Sequence, residues 1–104
     1  MNIIEQYPDN FKHCFDFSPP HGWINIVEQL VHDVVKVQPD VQIIQVKEKI
    51  GGMRFYVDSA TKEVYDLIDK AETLSEQTCQ VCGKSGTIKR VGGWYACVCP
   101  EHEQ

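Results

Sequence analysis

The sequence predicts an α+β fold in the order helix, β-hairpin, helix, ending in a zinc knuckle or ribbon. Three observations predict it. Two segments carry apolar residues at the three-to-four spacing of a helix face, two alternating β-branched runs meet at a glycine pair between them, and a cysteine- and glycine-rich stretch closes the chain.

The first helix is expected from about Trp23 to Val37. Trp23, Ile26, Val27, Leu30, Val31, Val34 and Val35 fall on one face, while Asn25, Glu28, Gln29, Asp33 and Lys36 fall on the other. Pro39 ends it, because the residue before a proline is driven out of helical geometry. Val41 to Lys49 reads as a strand, with Ile44, Val46, Glu48 and Ile50 alternating against Ile43, Gln45, Lys47 and Lys49. Met53, Phe55 and Val57 alternate with Arg54, Tyr56 and Asp58 in the next strand, and Gly51-Gly52 is the expected hairpin turn. The second helix is expected from about Thr61 to Glu76. Val64, Leu67, Ile68, Ala71, Leu74 and Ser75 form its buried stripe, and Glu63, Asp66, Asp69, Glu72 and Glu76 its exposed side.

Residues 1–21 read as an irregular arm, pinned to the body by Phe11, Phe15 and Phe17; leaving such rings in water costs ~1.5–3 kcal/mol each. Residues 22–78 form the body and 79–104 the metal-binding tail of one domain, which suits 104 residues. A chain this short buries only about two-thirds of its unfolded surface, so a staple is valuable.

That staple is legible in the tail, where four of the five cysteines fall within the last 26 residues. Cys79-x2-Cys82 is followed by glycine, Cys99-x2-His102 comes two residues before the last one, and sixteen residues separate the pairs. Two ligands two residues apart on a tight turn can face one ion, at ~2.3 Å for sulfur and ~2.0–2.1 Å for imidazole nitrogen. Gly83 allows the backbone to turn its amides toward the thiolates. Thr87 to Arg90 and Trp94 to Val98 can pair as a hairpin around Gly92-Gly93, which carries the second pair to the first. The expected ligands of a structural Zn²⁺ are therefore Cys79, Cys82, Cys99 and His102. Cys97 could instead replace either His102 or Cys99, since Cys97 and Cys99 point to the same side of a strand.

Other chemistries fit less well. A redox C-x2-C opens a helix whose N-terminus stabilises the thiolate, whereas this one follows a helix and precedes the turn Gly83-Lys84-Ser85-Gly86. A catalytic zinc keeps one position open for water, and four protein ligands leave none; Glu101 then reads as a solvated turn carboxylate. Cys14 beside His13 lacks an orienting acid and reads as a structural cysteine. Gly51-Gly52-Met53-Arg54 lacks the helix and Lys-Ser/Thr ending of a phosphate loop.

Fifteen acids against ten bases give a formal charge of −5, which one Zn²⁺ held by three thiolates lowers by a further unit. That balance argues against a chain built to coat duplex DNA. Met1 to Gln6 lacks a basic, apolar leader, and no apolar run approaches the ~20 residues of a membrane span. A cytoplasmic location, with reduced cysteines, is the expectation. Two faces remain as partner sites. Lys47, Lys49, Arg54 and Tyr56 on the first hairpin, extended by Lys84, Lys89 and Arg90, have the composition of a nucleic-acid contact, against the plainer reading of a solvated strand face. Glu63, Asp66, Asp69 and Glu72 could engage a basic protein groove, against the plainer reading of a solvated helix face.

Gly22-Trp23, the string Val46-Lys47-Glu48-Lys49-Ile50-Gly51-Gly52-Met53-Arg54-Phe55-Tyr56, Cys79-x2-Cys82-Gly83, Gly92-Gly93-Trp94 and Cys99-x2-His102 together resemble small, mostly uncharacterised zinc-knuckle proteins carried by bacteriophages and prophages. The likeness runs from Gly22 to His102. It implies Cys99 and His102 as the second ligand pair, with Cys97 as an extra cysteine. It implies no known enzymatic activity, and it suggests a mobile-element protein that binds and blocks a host protein or nucleoprotein complex, a defence nuclease or transcription complex for example.

Overall fold

The structure, a computed structural model, describes residues 2–103. It is a mixed α+β fold in which two long helices cover a three-stranded sheet and a second, two-stranded sheet carries the cysteine-rich tail. The long helices are α2 (Ile24–Val37) and α3 (Lys62–Ser75), which follow a short α1 (Ile3–Gln6). The larger sheet has the order β1 (Asp16–Phe17), β2 (Gln42–Lys49), β3 (Gly52–Asp58). The tail hairpin is β4 (Thr87–Val91) with β5 (Trp94–Val98). No helix among the described residues is long and apolar enough to cross a membrane.

α2 forms where the apolar stripe predicts it, entered through a 3₁₀ turn at His21–Trp23, and it buries Val27, Leu30, Val31 and Val34. α3 starts at Thr61, whose Oγ1 accepts from Val64 N–H and so satisfies one orphan donor of the first turn. The core between helices and sheet joins Trp23, Val31, Ile43, Met53, Phe55 and Ile68, with Trp23 fully buried.

Five local expectations are corrected. First, the arm is not irregular throughout, since it contributes α1 and the strand β1. Asp16 and Phe17 pair in parallel with Gln45 and Val46, and buried Asn10 donates from Nδ2 to the carbonyls of Pro39 (2.9 Å) and Val41 (2.8 Å). Phe11 is buried and stacks edge-on against half-buried Phe17, but Phe15 is 73% exposed and pins nothing. Second, β2 does not alternate throughout. Ile43 pairs with Val57 and Gln45 with Tyr56, so Ile44 is a bulge, and both Ile43 and Val46 turn into the core although three residues apart. Third, the first hairpin turns at Ile50-Gly51, with φ of 55° and 79°, while Gly52 already pairs with Lys49.

Fourth, Leu74 leaves the buried stripe of the second helix and is 50% exposed, while Ser75 faces inward as expected. Fifth, Glu72 is not on the exposed side. β3 is the sheet edge, and α3 covers it: Met53 N–H donates to Ser75 Oγ (2.9 Å) and Phe55 N–H to Glu72 Oε2 (3.0 Å). Two edge donors that would otherwise invite another strand are thereby satisfied.

Candidate metal centre

The tail begins one turn after α3 and returns on itself between Cys79 and Gly86. Cys79 N–H donates to the Lys84 carbonyl (2.7 Å), Gly83 N–H to the Cys79 carbonyl (2.9 Å) and Gly86 N–H to the Gln77 carbonyl (2.9 Å). Gly83 has φ of 85°, the left-handed geometry that closes the loop over Cys79 and that glycine adopts without strain. β4 and β5 pair in register from Thr87↔Val98 to Val91↔Trp94 around Gly92-Gly93. β5 therefore delivers Cys99 beside the first loop, and a 3₁₀ turn at Pro100–His102, closed by His102 N–H on the Cys99 carbonyl (2.9 Å), brings the imidazole back over it.

Cys79, Cys82, Cys99 and His102 offer donor atoms that all lie within 4.8 Å of one another. Cys82 Sγ is 3.6 Å from Cys99 Sγ, and His102 Nδ1 is 3.7 Å from Cys79 Sγ and 3.2 Å from Cys99 Sγ. A tetrahedral ion with metal–sulfur bonds of ~2.3 Å and metal–nitrogen bonds of ~2.0–2.1 Å has edges of roughly 3.8 Å between sulfurs and roughly 3.6 Å between sulfur and nitrogen. The cluster thus has the size and the donor chemistry of a metal site. Cys79 and Cys99 are buried, His102 is half-buried and Cys82 is exposed.

The electrostatics are those of anions held by amides. Burial raises the Cys79 thiol pKa, but the backbone N–H groups of Cys82, Cys99 and Val81, with the Cys82 side chain, lower it by more, to about 6. Lys84 N–H lowers that of Cys82, yet desolvation and the neighbouring Cys99 and Cys79 sulfurs outweigh it and leave it raised. The sulfurs crowd one another, and a cation between them relieves that repulsion. Lys84 reaches Glu101 at 3.1 Å on the solvent side, which engages the one carboxylate inside the second ligand pair.

Cys97 does not join the cluster, contrary to the expectation that it and Cys99 share a side. β5 ends at Val98, so the two-residue alternation stops before Cys99. Cys97 is fully buried in the main core, its N–H donating to Gln80 Oε1 (3.0 Å) and its carbonyl accepting from Gln80 N–H (2.8 Å). Burial pushes its thiol pKa up. Cys14, half-buried, donates to the Asp16 carbonyl at 3.5 Å, and it too is raised by burial.

The body holds the tail at points that spacing alone did not reveal. The tail docks on the start of α2 and on the first hairpin turn as well as on the end of α3. Gly22 N–H donates to the Gln80 carbonyl (2.9 Å), Trp23 Nε1 to the Thr78 carbonyl (2.8 Å), and Gly51 lies against Ile88. The adjacent Gly22-Trp23 pair was the available sequence signal, since a glycine beside a large aromatic marks a close approach.

The two surfaces singled out for partners differ in character. Lys49 and Tyr56 are exposed, but Lys47 is half-buried and attracts Asp16, whose carboxylate pKa is lowered chiefly by hydrogen bonds from Gln45 and Ser18 and further by Lys47. Arg54 is half-buried near Glu72 and beside the Glu76 carboxylate over Gly52. Lys89 pairs with Glu103. Glu63, Asp66 and Asp69 are exposed on α3, whereas Glu72 faces β3. Comparison with family models, with curated proteins and with solved structures gives no match, so the site is read from its own geometry.

Proposed function

We propose that the chain is a non-enzymatic interaction protein, stapled by one structural Zn²⁺, that binds and blocks a host macromolecular complex in the bacterial cytoplasm. The observation that carries the zinc reading is the closed Cys₃His set. Cys79, Cys82, Cys99 and His102 supply four donors within 4.8 Å of one another, enough to fill a tetrahedral sphere, so an ion bound by all four has no position left for water or substrate. Three thiolates and one imidazole suit zinc, and hard oxygen-seeking cations are disfavoured by such a set. Zinc at this site supplies folding energy, because among the described residues the small cluster around Cys79 and Cys99 adds just Val98, Val91 and Ala96.

An interaction role is supported by what the fold leaves outside. Leu74, Trp94 and Tyr95 stay exposed, and acids line α3. The origin and the host target rest on the resemblance to phage and prophage proteins. The alternative, a small nucleic-acid-binding zinc module, has weaker support: Lys47, Arg54, Lys84 and Lys89 are each faced by a carboxylate of the chain itself, which leaves Lys49 and Arg90 to carry phosphate contacts.

Elemental analysis of the purified chain is expected to give one zinc per molecule, with unfolding of the tail on chelation. Affinity capture from the bacterial host, followed by assay of the captured complex with and without added protein, is expected to show inhibition. Fully native material without metal would sink the staple. Binding to DNA or RNA oligonucleotides that weakens steeply with salt, with no captured complex, would favour the alternative.

A further inference from the structure

α2 and α3 run antiparallel, their shared end fixed by Gln38, which donates from Nε2 to the Ser59 carbonyl (3.4 Å) and accepts at Oε1 from Thr61 N–H (3.0 Å). Their inward faces cover the sheet. Their outward flanks leave a groove of about 350 Å³ between them, floored by Ile26, Leu30, Leu67, Ala71 and Leu74. A second hollow continues it past Leu67 and Lys70 to Val37, Glu63 and Asp66. Ile26 to Val37 along α2 spans roughly 16 Å, or about three helical turns.

The groove is polarised. Its Ile26–Leu74 end is apolar, and Leu74 stands half exposed there although it belongs by spacing to the buried stripe. Its Val37 end carries Glu63 and Asp66, with Asp33 on the α2 rim and Asp69 one turn along the outer flank of α3. Against these stand Lys70 in the groove, Lys36 exposed in the last turn of α2 beside Val37, and Lys62, which pairs with Asp66 at 2.8 Å on the exposed surface, where such a pair holds little energy. An apolar floor two helices wide, opening onto an acidic end, is the counterpart of a basic amphipathic helix.

The geometry points to the α2–α3 groove as the docking site for a partner's amphipathic helix of about three turns, its apolar residues seated on Leu67, Ala71 and Leu74 and its lysines or arginines lying over Glu63 and Asp66. This rests on the interaction reading above and specifies its surface. The Trp94 hairpin, 79% exposed at that indole, competes for the role, but its cleft is lined by both Glu48 and Lys49 and selects no charge.

The test is a displayed library of random 16-residue peptides selected against the metal-loaded full chain. Enriched peptides are expected to carry apolar residues at i, i+3 or i+4, and i+7, with Lys or Arg one to two turns further on. A synthetic consensus peptide is expected to lose at least tenfold in affinity on Leu74→Glu, a change at a half-exposed position. It should lose similarly on the double change Glu63→Lys and Asp66→Lys, and regain binding there when its own basic residues are exchanged for glutamate. Peptides without basic residues, or equal binding to Leu74→Glu, would overturn the assignment. So would a chain that is dimeric and becomes monomeric on Leu74→Glu, since the occupant would then be a second copy. Peptides that shift only residues of the Trp94 hairpin in NMR spectra would overturn the groove and leave the interaction reading standing. Absence of enrichment above bare matrix would also overturn the groove, with the wider reading then decided by capture of the host complex.

Discussion

Gly22 lies so close to Cys79 that a side chain there has no space: a Cβ on Gly22 would stand 2.1 Å from the Cys79 carbonyl oxygen and 2.8 Å from Gly83 N. The constraint is steric. Both atoms are backbone of the loop that holds two of the three clustered sulfurs, and that loop is fixed in turn by hydrogen bonds to Lys84 and Gln77. The entry to α2 and the metal loop are therefore one packed unit. Gly22→Ala is expected to lower stability by about 1–3 kcal/mol, the usual cost of overpacking. It should also weaken zinc retention against a chelator by about tenfold, as displacement of supporting groups does. Urea unfolding and chelator competition measure the two. A variant that loses stability but holds zinc as tightly as the parent would show that the two units are separable.

The cysteines should divide sharply by role. Cys82 is exposed, so in a metal-free account its hydroxyl analogue would be harmless; as a ligand it should be indispensable. Cys82→Ser is expected to leave the tail unfolded and the chain with less than one zinc, because structural zinc contributes on the order of 10 kcal/mol in small sites. Cys14→Ser should stay within about 1 kcal/mol of the parent, the cost of a lost weak hydrogen bond. Cys97→Ala should keep one zinc while costing about 1 kcal/mol for the sulfur's lost packing in the core. Metal content together with thermal melting separates the three. Loss of zinc in Cys97→Ala would place it in the coordination sphere after all.

The site and the main elements could be read in the sequence because each leaves a local mark. Cys79-x2-Cys82 and Cys99-x2-His102 mark the clustered donors by spacing, and Gly92-Gly93 marks the turn between them. The apolar stripes of Ile26 to Val35 and Val64 to Ala71 repeat often enough to define two helix faces. What escaped was non-local or unmarked. The parallel pairing of Asp16 and Phe17 with β2 needs a partner nearly thirty residues away. The bulge at Ile44 has no glycine or proline to announce it, yet it decides which of Ile43 and Ile44 faces the core. Leu74 leaves the stripe while Ser75 keeps its expected place, because the last turn of α3 runs along the edge of β3, where the backbone asks for a hydroxyl. Cys97 and Cys99 part company because the strand ends between them.

Ser75 is fully buried and its hydroxyl works in both directions, accepting from Met53 N–H and donating to the Glu72 carbonyl at 2.6 Å. Ser75→Ala removes the acceptor and leaves a buried edge N–H unpaired, which costs about 1–3 kcal/mol. Ser75→Thr keeps the hydroxyl and crowds the contact. Alanine is therefore expected to lower the melting temperature, and Met53 amide hydrogen exchange is expected to accelerate beyond what the global change accounts for. If that amide stayed as protected as in the parent, another acceptor would be replacing Ser75.

Glu72 gives a prediction with a sign. Burial raises its carboxyl pKa above the ordinary 4.5; Phe55 N–H and Arg54 pull it down, Asp69 and Glu76 push it up again, and the balance is a raised value. At pH 7 the carboxylate is charged in the folded and the unfolded chain alike, so the folded state bears the cost of a half-buried anion. As pH falls through the folded pKa toward 4.5, the folded chain takes up the proton first and that cost disappears. Glu72→Gln keeps an acceptor for Phe55 N–H and carries no charge at any pH. It is expected to be more stable than the parent at pH 7, by less than about 1 kcal/mol because solvent screens the site, and to lose that advantage below pH 4.5. Glu72→Ala leaves the Phe55 N–H without its partner and should be destabilised at both pH values, by about 1–3 kcal/mol. Each variant is compared with the parent at the same pH, so acid release of the metal cancels from the difference. A glutamine advantage that grew on acidification would mean that the folded carboxylate is stabilised rather than strained, and that its contact with β3 is worth more than the burial of its charge.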